Sequence, residues 1–211
     1  MLTLYYSPGA CSLVSHIALE EAGADYRPER IDLAQGEQHG EEFLRVNPHA
    51  RVPALVTDEG TITENVAILN YVGDTFEADG SVPSDDAFAR AQCNQLLGWF
   101  ASSVHVAFAQ MFRPVRTSPD DAIHAGIVEG GRAALTSHFN ELDDLCGPGW
   151  LVADRFTAAD SYAAVFHRWA TRAKFDMSVY PRWSSLVGRV IERPAVVRAL
   201  GQEELKPDDF A

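Results

Sequence analysis

Two textures of hydrophobic and polar residues divide the chain. Up to residue 76, short β-like runs alternate with helical runs, whereas almost everything after Ser84 repeats its apolar positions at helical spacing. Leu2-Thr3-Leu4-Tyr5-Tyr6 has strand propensity and is stopped by Ser7-Pro8-Gly9. Leu13, His16, Ile17 and Glu20 then follow a helical period toward Gly23. Tyr26 to Leu33 reads as a second strand, parallel to the first because a helix intervenes, and Pro28 favours an edge position. Glu41 to Val46 is a short helix at most. Val52 to Thr57 and Gly60 to Thr63 are strand-like runs joined through Asp58-Glu59-Gly60, and Glu64 to Phe76, apolar at Val66, Leu69 and Val72, is a helix.

The resulting order, β-α-β-α-β-β-α, predicts a small α/β unit with a mixed four-stranded sheet, the order found in thioredoxin-like domains. Residues 77–84 (EADGSVPS) collect Gly, Pro and Ser and read as a linker. An all-α unit is expected over 85–211. Its helices are placed at Asp85 to Phe112, Pro119 to Leu145, Ala158 to Lys174, Pro181 to Glu192, and a short one from Ala195. Gly130-Gly131 weakens the second of these by about 1 kcal/mol per glycine.

Composition narrows the partners. With 17 Lys+Arg against 30 Asp+Glu, the formal charge of the 211 residues is −13. Nucleic acid and anionic membrane surfaces recruit basic patches, so neither is expected as a partner. Apolar residues at 46% and charged residues at 22% suit a globular protein with a sizeable core. Cys11, Cys93 and Cys146 are an odd number at wide spacings, which fits neither a disulfide framework nor a zinc site. No signal peptide and no long apolar run is evident, so a cytoplasmic location with reduced thiols is expected, and no metal.

Three short motifs carry candidate chemistry. Ser7-Pro8-Gly9-Ala10-Cys11-Ser12 lies between the first strand and the first helix, putting Cys11 and Ser12 where unpaired N–H groups stabilise an anion. A thiol there is expected to have its pKa lowered from about 8.5, and the same geometry serves a thiolate brought in by a ligand. Val52-Pro53 opens the third strand. A cis bond there would turn Val52 toward an incoming peptide backbone, which it would pair as a strand does. Thr63-Glu64-Asn65 leads into an apolar helix. It reads either as a helix cap or as a carboxylate for a ligand ammonium, with Asn65 and helix amides for a ligand carboxylate.

In this spacing, the three motifs resemble the glutathione transferases, and the bacterial beta class among them. The likeness is carried by Tyr5 to Ser12, by Asn47-Pro48-His49-Ala50-Arg51-Val52-Pro53-Ala54-Leu55 and by Thr63 to Leu69. It continues through His105, Phe112-Arg113-Pro114, Arg155 to Asp160 and Glu192-Arg193-Pro194, nearly the whole chain. The resemblance implies a glutathione site on the thioredoxin-like domain, a helical domain lining an acceptor pocket, and a homodimer. By position it implies that Cys11 can form a mixed disulfide with glutathione, with Ser12 or Tyr6 sharing the thiolate. It further implies that Val52 pairs with the cysteinyl backbone, that Glu64 and Asn65 hold the γ-glutamyl end, and that His105 and Arg90 reach in from the second domain. The loop Ala34 to Gly40 lacks the lysine that many beta members use against the glycine carboxylate, leaving Gln35 or Arg51 for that task. An often-asparagine position appears as Gly98.

The expected activity is therefore glutathione transfer to a hydrophobic electrophilic small molecule, thiol–disulfide exchange through Cys11, or both. A ligand-binding member with little turnover, or a glutathione-dependent isomerase, dehalogenase or ether-cleaving lyase, are the alternatives. Thr157-Ala158-Ala159-Asp160 is read as a capping box, and Cys93 and Cys146 as structural.

Overall fold

The computed structural model describes residues 1–210. Strands β1 (Leu2–Tyr6), β2 (Tyr26–Arg30), β3 (Ala54–Thr57) and β4 (Gly60–Thr63) form one sheet in the order β2-β1-β3-β4. β1 and β2 are parallel, with Leu4 opposite Pro28, while β3 is antiparallel to both β1 and β4. Pro28 sits on an edge strand, where its missing N–H costs least. The second strand ends at Arg30 rather than Leu33, and the third begins at Ala54, after a cis Val52–Pro53 peptide. Helices α1 (Ser12–Glu21), α2 (Glu41–Val46) and α3 (Asn65–Phe76) complete the α/β unit.

From Ala87 onward the described chain is helical: α4 (Ala87–Trp99), α5 (His105–Phe112), α6 (His124–Leu145), α7 (Ala158–Arg172), α8 (Pro181–Ile191) and α9 (Pro194–Gln202). The single helix expected over 85–112 is two, joined by a wide π-type turn at Phe100–Val104. Such a turn re-phases the helix, so the residues after it face a different way from those before it. His105 follows it directly. α6 runs unbroken through its glycine pair because tertiary packing outweighs propensity there: a Cβ on Gly131 would lie 2.9 Å from the Ala107 carbonyl oxygen of α5.

α1 is the central pillar. A pattern of Leu13, His16, Ile17 and Glu20 predicts one buried face, yet every residue from Ser12 to Leu19 is buried, since α3, α7 and α9 all pack around it. The core continues from β1 and α1 into Phe100, Phe108, Phe139, Phe166 and Trp183 without a break. α7 starts at the expected capping box. Asp160 Oδ2 accepts from the Thr157 N–H at 2.8 Å and hydroxyl at 3.0 Å, and Oδ1 from the Leu151 N–H at 2.9 Å. Cys93 and Cys146 are buried thiols in this core.

Candidate active site

A cleft of about 1090 Å³ opens between the loop after β1 and the helices α5 and α7. Single-ligand pockets run to about 1000 Å³, so a tripeptide and a second small molecule fit side by side. Cys11, Arg51, Val52, Pro53, Glu64, Asn65 and His105 all line it, brought together from four places in the chain.

Cys11 occupies the N-cap of α1, and the N–H groups of Cys11 and Ser12 point at its sulfur. The thiol donates to the Val52 carbonyl at 3.6 Å. Its pKa is nevertheless pushed up to about 12, because burial of the sulfur outweighs the two amides and the Glu64 carboxylate adds to the rise. The expected depression does not occur. A helix terminus lowers a thiol pKa and burial raises it, and at Cys11 burial is the larger effect. Val52 itself is buried, and among the described residues its N–H has no partner.

Glu64 takes φ 73 and ψ 125, a region disfavoured for any side chain and worth on the order of 1–3 kcal/mol of strain. It does not cap α3 through its side chain; its exposed carboxylate borders the cleft instead. Asn65 ties three elements together. Its Nδ2 donates to the Cys11 carbonyl at 2.9 Å and to the Tyr162 hydroxyl at 3.5 Å, and its Oδ1 accepts from the Ser15 hydroxyl at 2.6 Å. The Tyr162 hydroxyl also lies 3.3 Å from His105 Nδ1, which joins the histidine to the same network. Burial, reinforced by Arg51, Arg113 and Arg116, holds the His105 pKa down to about 4, so the ring is neutral at pH 7.

Four residues expected at the site lie elsewhere. The Ser12 hydroxyl is fully buried, accepting from the Ser7 N–H and donating to the Ser7 carbonyl, so it braces the loop from beneath. Tyr6 packs against His16 and donates to the Gln202 carbonyl at 3.3 Å, on the far side of β1. Arg90 is held by Asp74 through two bonds of 2.6 and 2.9 Å. Gln35 is exposed and Ala34, not Gln35, borders the cleft.

Other cleft residues escape a reading of the sequence. Arg168 and Trp169 both donate to the Gly9 carbonyl, at 3.2 and 2.9 Å, and Glu203 accepts from the Gly9 N–H at 2.7 Å. The second Glu203 oxygen lies 2.8 Å from His16 Nδ1, both side chains fully buried. Trp169 is half-buried at the cleft wall. Nothing local marks Glu203, which acts across 194 positions of sequence. Arg113 and Arg116 could have been found from the Arg-Pro-Val-Arg spacing, which turns both along one short 3-10 turn.

Residues 1–74 match the model of the glutathione S-transferase N-terminal domain. Over 97% of its length the chain is 33% identical to glutathione S-transferase GstA of Escherichia coli O157:H7, covering all of that protein. It superposes on a bacterial beta-class glutathione S-transferase of Sphingomonas chungbukensis with a TM-score of 0.84 at 36% identity, covering 97% of this chain and 100% of that one. A glutathione transferase homologue from Sulfitobacter, solved with bound glutathione, gives a TM-score of 0.89 at 30% identity, over 97% of this chain and 99% of that one.

Proposed function

The chain belongs to the glutathione S-transferase family, and on that premise we propose that the cleft conjugates glutathione's sulfur to an electrophilic small molecule, with Cys11 acting as a thiol donor rather than as the nucleophile. The observation that carries this reading is the open N-terminus of α1, with the Cys11 and Ser12 N–H groups, in the same cleft as Val52, Glu64 and Asn65. Burial raises the Cys11 pKa to about 12, which keeps the thiol protonated at pH 7. Such a sulfur donates a hydrogen bond and attacks poorly.

Glutathione is seated in this reading by main-chain pairing at Val52, by the Glu64 carboxylate on its ammonium, by Asn65 at the γ-glutamyl end, and by Arg51 on its glycine carboxylate. Its thiol, near 9 in water, needs about 3 kcal/mol of thiolate stabilisation to ionise at pH 7. Two N–H donors to a charged acceptor, at about 1.5 kcal/mol or more each, supply that amount. The thiol proton leaves to solvent. The sulfur then forms a bond to the electrophilic carbon while the bond to the leaving group breaks, and the leaving group departs with its electron pair. His105 borders the cleft as a neutral hydrogen-bond partner for sulfur or for the acceptor. Residues 1–76 hold glutathione and residues 85–211 the acceptor, with 77–84 connecting them. The reading includes a cytoplasmic homodimer, for which the ring of Phe88 on α4, 73% exposed, is an apolar surface that a second copy would cover.

Thiol–disulfide exchange is the second reading, favoured by the position of Cys11 at the cleft wall. Conjugation of chlorodinitrobenzene by wild type and Cys11→Ala separates the two, alongside intact mass after treatment with glutathione disulfide. Conjugation falling about fivefold to tenfold in the variant, with no stable adduct in the wild type, is the expected result. A stoichiometric mixed disulfide with conjugation abolished in the variant would transfer the main chemistry to Cys11. Absence of glutathione binding in the wild type would remove both.

A further inference from the structure

Carboxylates outnumber basic residues by 30 to 17 in this protein, so an arginine easily finds an acidic partner. Many do: Arg90 with Asp74, Arg155 with Asp85, Arg193 with Glu21, Arg198 with Glu20. At the mouth of the cleft the pattern breaks. Arg51, Arg113 and Arg116 line it together, and among the described residues their guanidinium groups make no ion pair and no hydrogen bond. They are close enough to raise one another's potential: Arg113 and Arg51 both bear on Arg116, and all three bear on His105. Of the cleft carboxylates, Glu203 is bound to Gly9 and His16, Asp32 accepts from the Ala34 and Gln35 N–H groups, Glu204 pairs with Arg30, and the exposed Glu64 makes no ion pair with these arginines among the described residues.

With Arg172, which also lines the cleft and has no partner among the described residues, four like charges stand unneutralised around one cavity, an unfavourable arrangement that an anion relieves. Resting on the seating of glutathione proposed above, Arg51 takes the glycine carboxylate, which leaves Arg113 and Arg116 on the wall that carries His105. That wall faces the acceptor. We propose that Arg113 and Arg116 select an acceptor that bears a carboxylate, so that the second substrate of this cleft is an anionic electrophile rather than a purely apolar one. The guanidinium planes bind the carboxylate at the cleft mouth while the apolar part lies against Trp169, Phe108 and Ala101. The carbon that sulfur attacks then lies between His105 and the α1 amides. The transfer is the same as before: sulfur bonds to carbon, halide leaves with its electron pair, and the thiol proton goes to solvent.

The test pairs two acceptors that differ by one group, chlorodinitrobenzene and its ring-carboxylated analogue chlorodinitrobenzoate, and reads the ratio of their kcat/KM values. Wild type is expected to favour the carboxylated acceptor beyond their intrinsic reactivity with free glutathione. The Arg113→Gln, Arg116→Gln double variant is expected to lower the ratio about tenfold, and the corresponding lysine variant to restore part of it. The same preference should shrink as salt is raised from 50 to 500 mM, since these arginines are solvent-exposed. A ratio unchanged by the double variant overturns the proposal while leaving glutathione transfer intact. If neither acceptor is consumed, the transfer reading fails. The anion preference is then decided by calorimetric binding of the two S-aryl glutathione products to wild type and double variant, with equal affinities overturning it.

Discussion

Gly9→Ala tests how the helical half positions the sulfur site. Gly9 adopts φ +65, where a residue with a side chain pays about 1 kcal/mol or more. A Cβ there would sit 2.3 Å from Arg168 Nη1, 2.6 Å from Cζ and 2.8 Å from Nη2, so the guanidinium must move. Arg168 is 7% exposed and donates to the Gly9 carbonyl. Losing a bond from a charged donor costs about 1.5–3 kcal/mol. The sum is roughly 3 kcal/mol, and at about 2–4 °C per kcal/mol for a protein of this size, a thermal midpoint lowered by roughly 6–12 °C is expected. Differential scanning fluorimetry reads it. Because Gly9 leads straight into Cys11, glutathione affinity should fall in the same variant. A double-mutant cycle with Arg168→Ala identifies the cause: if the clash dominates, the second substitution adds far less in the Gly9→Ala background than alone. A midpoint lowered by less than about 2 °C, or strictly additive effects, would refute the clamp.

Two further outcomes follow from the buried titratable groups and the cap of α7. The pKa values of His105 and His167 are held down to about 4 by burial, and that of Asp160 is raised to about 6. As pH falls from 6.5 toward 4, the unfolded histidines take up protons that the folded ones resist, so both weaken the fold. Asp160 works in the opposite sense, its contribution being full below pH 3.8 and lost as pH rises through 6. Two against one leaves a net loss on the order of 3 kcal/mol over that window. Urea midpoints at pH 7, 5.5 and 4.5 measure it, and the His105→Gln, His167→Gln variant should flatten or reverse the slope; an unchanged slope contradicts the assignment. Thr157→Ala removes the hydroxyl from the capping box and should cost about 1–2 kcal/mol, with Thr157→Ser near neutral by the same midpoints.

The α/β order, the edge strand marked by Pro28 and the capping box were legible because each rests on residues within a few positions of one another. The resemblance to glutathione transferases implied one site for Cys11, Val52 and Glu64-Asn65, and the structure has all of them lining one cleft. What was not legible depends on distant packing. Ser12 has the right neighbour in sequence, but its hydroxyl turns under the loop to Ser7. Tyr6 alternates onto the face that meets His16, away from the cleft, as the period of two along β1 requires. Arg90 falls one turn within reach of Asp74, and that ion pair takes it. The thiol pKa went the opposite way from a helix-terminus argument because enclosure of the sulfur depends on Val52, contributed from 41 positions away.

The charge of −13 first served to exclude partners, and the cleft shows that it does more. Glutathione is itself an anion at neutral pH, and a carboxylated acceptor would be another, so the whole-molecule field opposes both. That field acts over a Debye length of about 8 Å at physiological salt, whereas a guanidinium meeting a carboxylate acts at contact. The two are therefore separable. An acidic exterior repels polyanions at long range, whereas the proposed anion binding by Arg51, Arg113 and Arg116 acts at contact inside the cleft. Neutralising these arginines with nearby carboxylates would have relieved their mutual repulsion and is the commoner solution elsewhere on this surface. Their lack of partners in so acidic a chain is the feature for which the proposed anionic acceptor accounts.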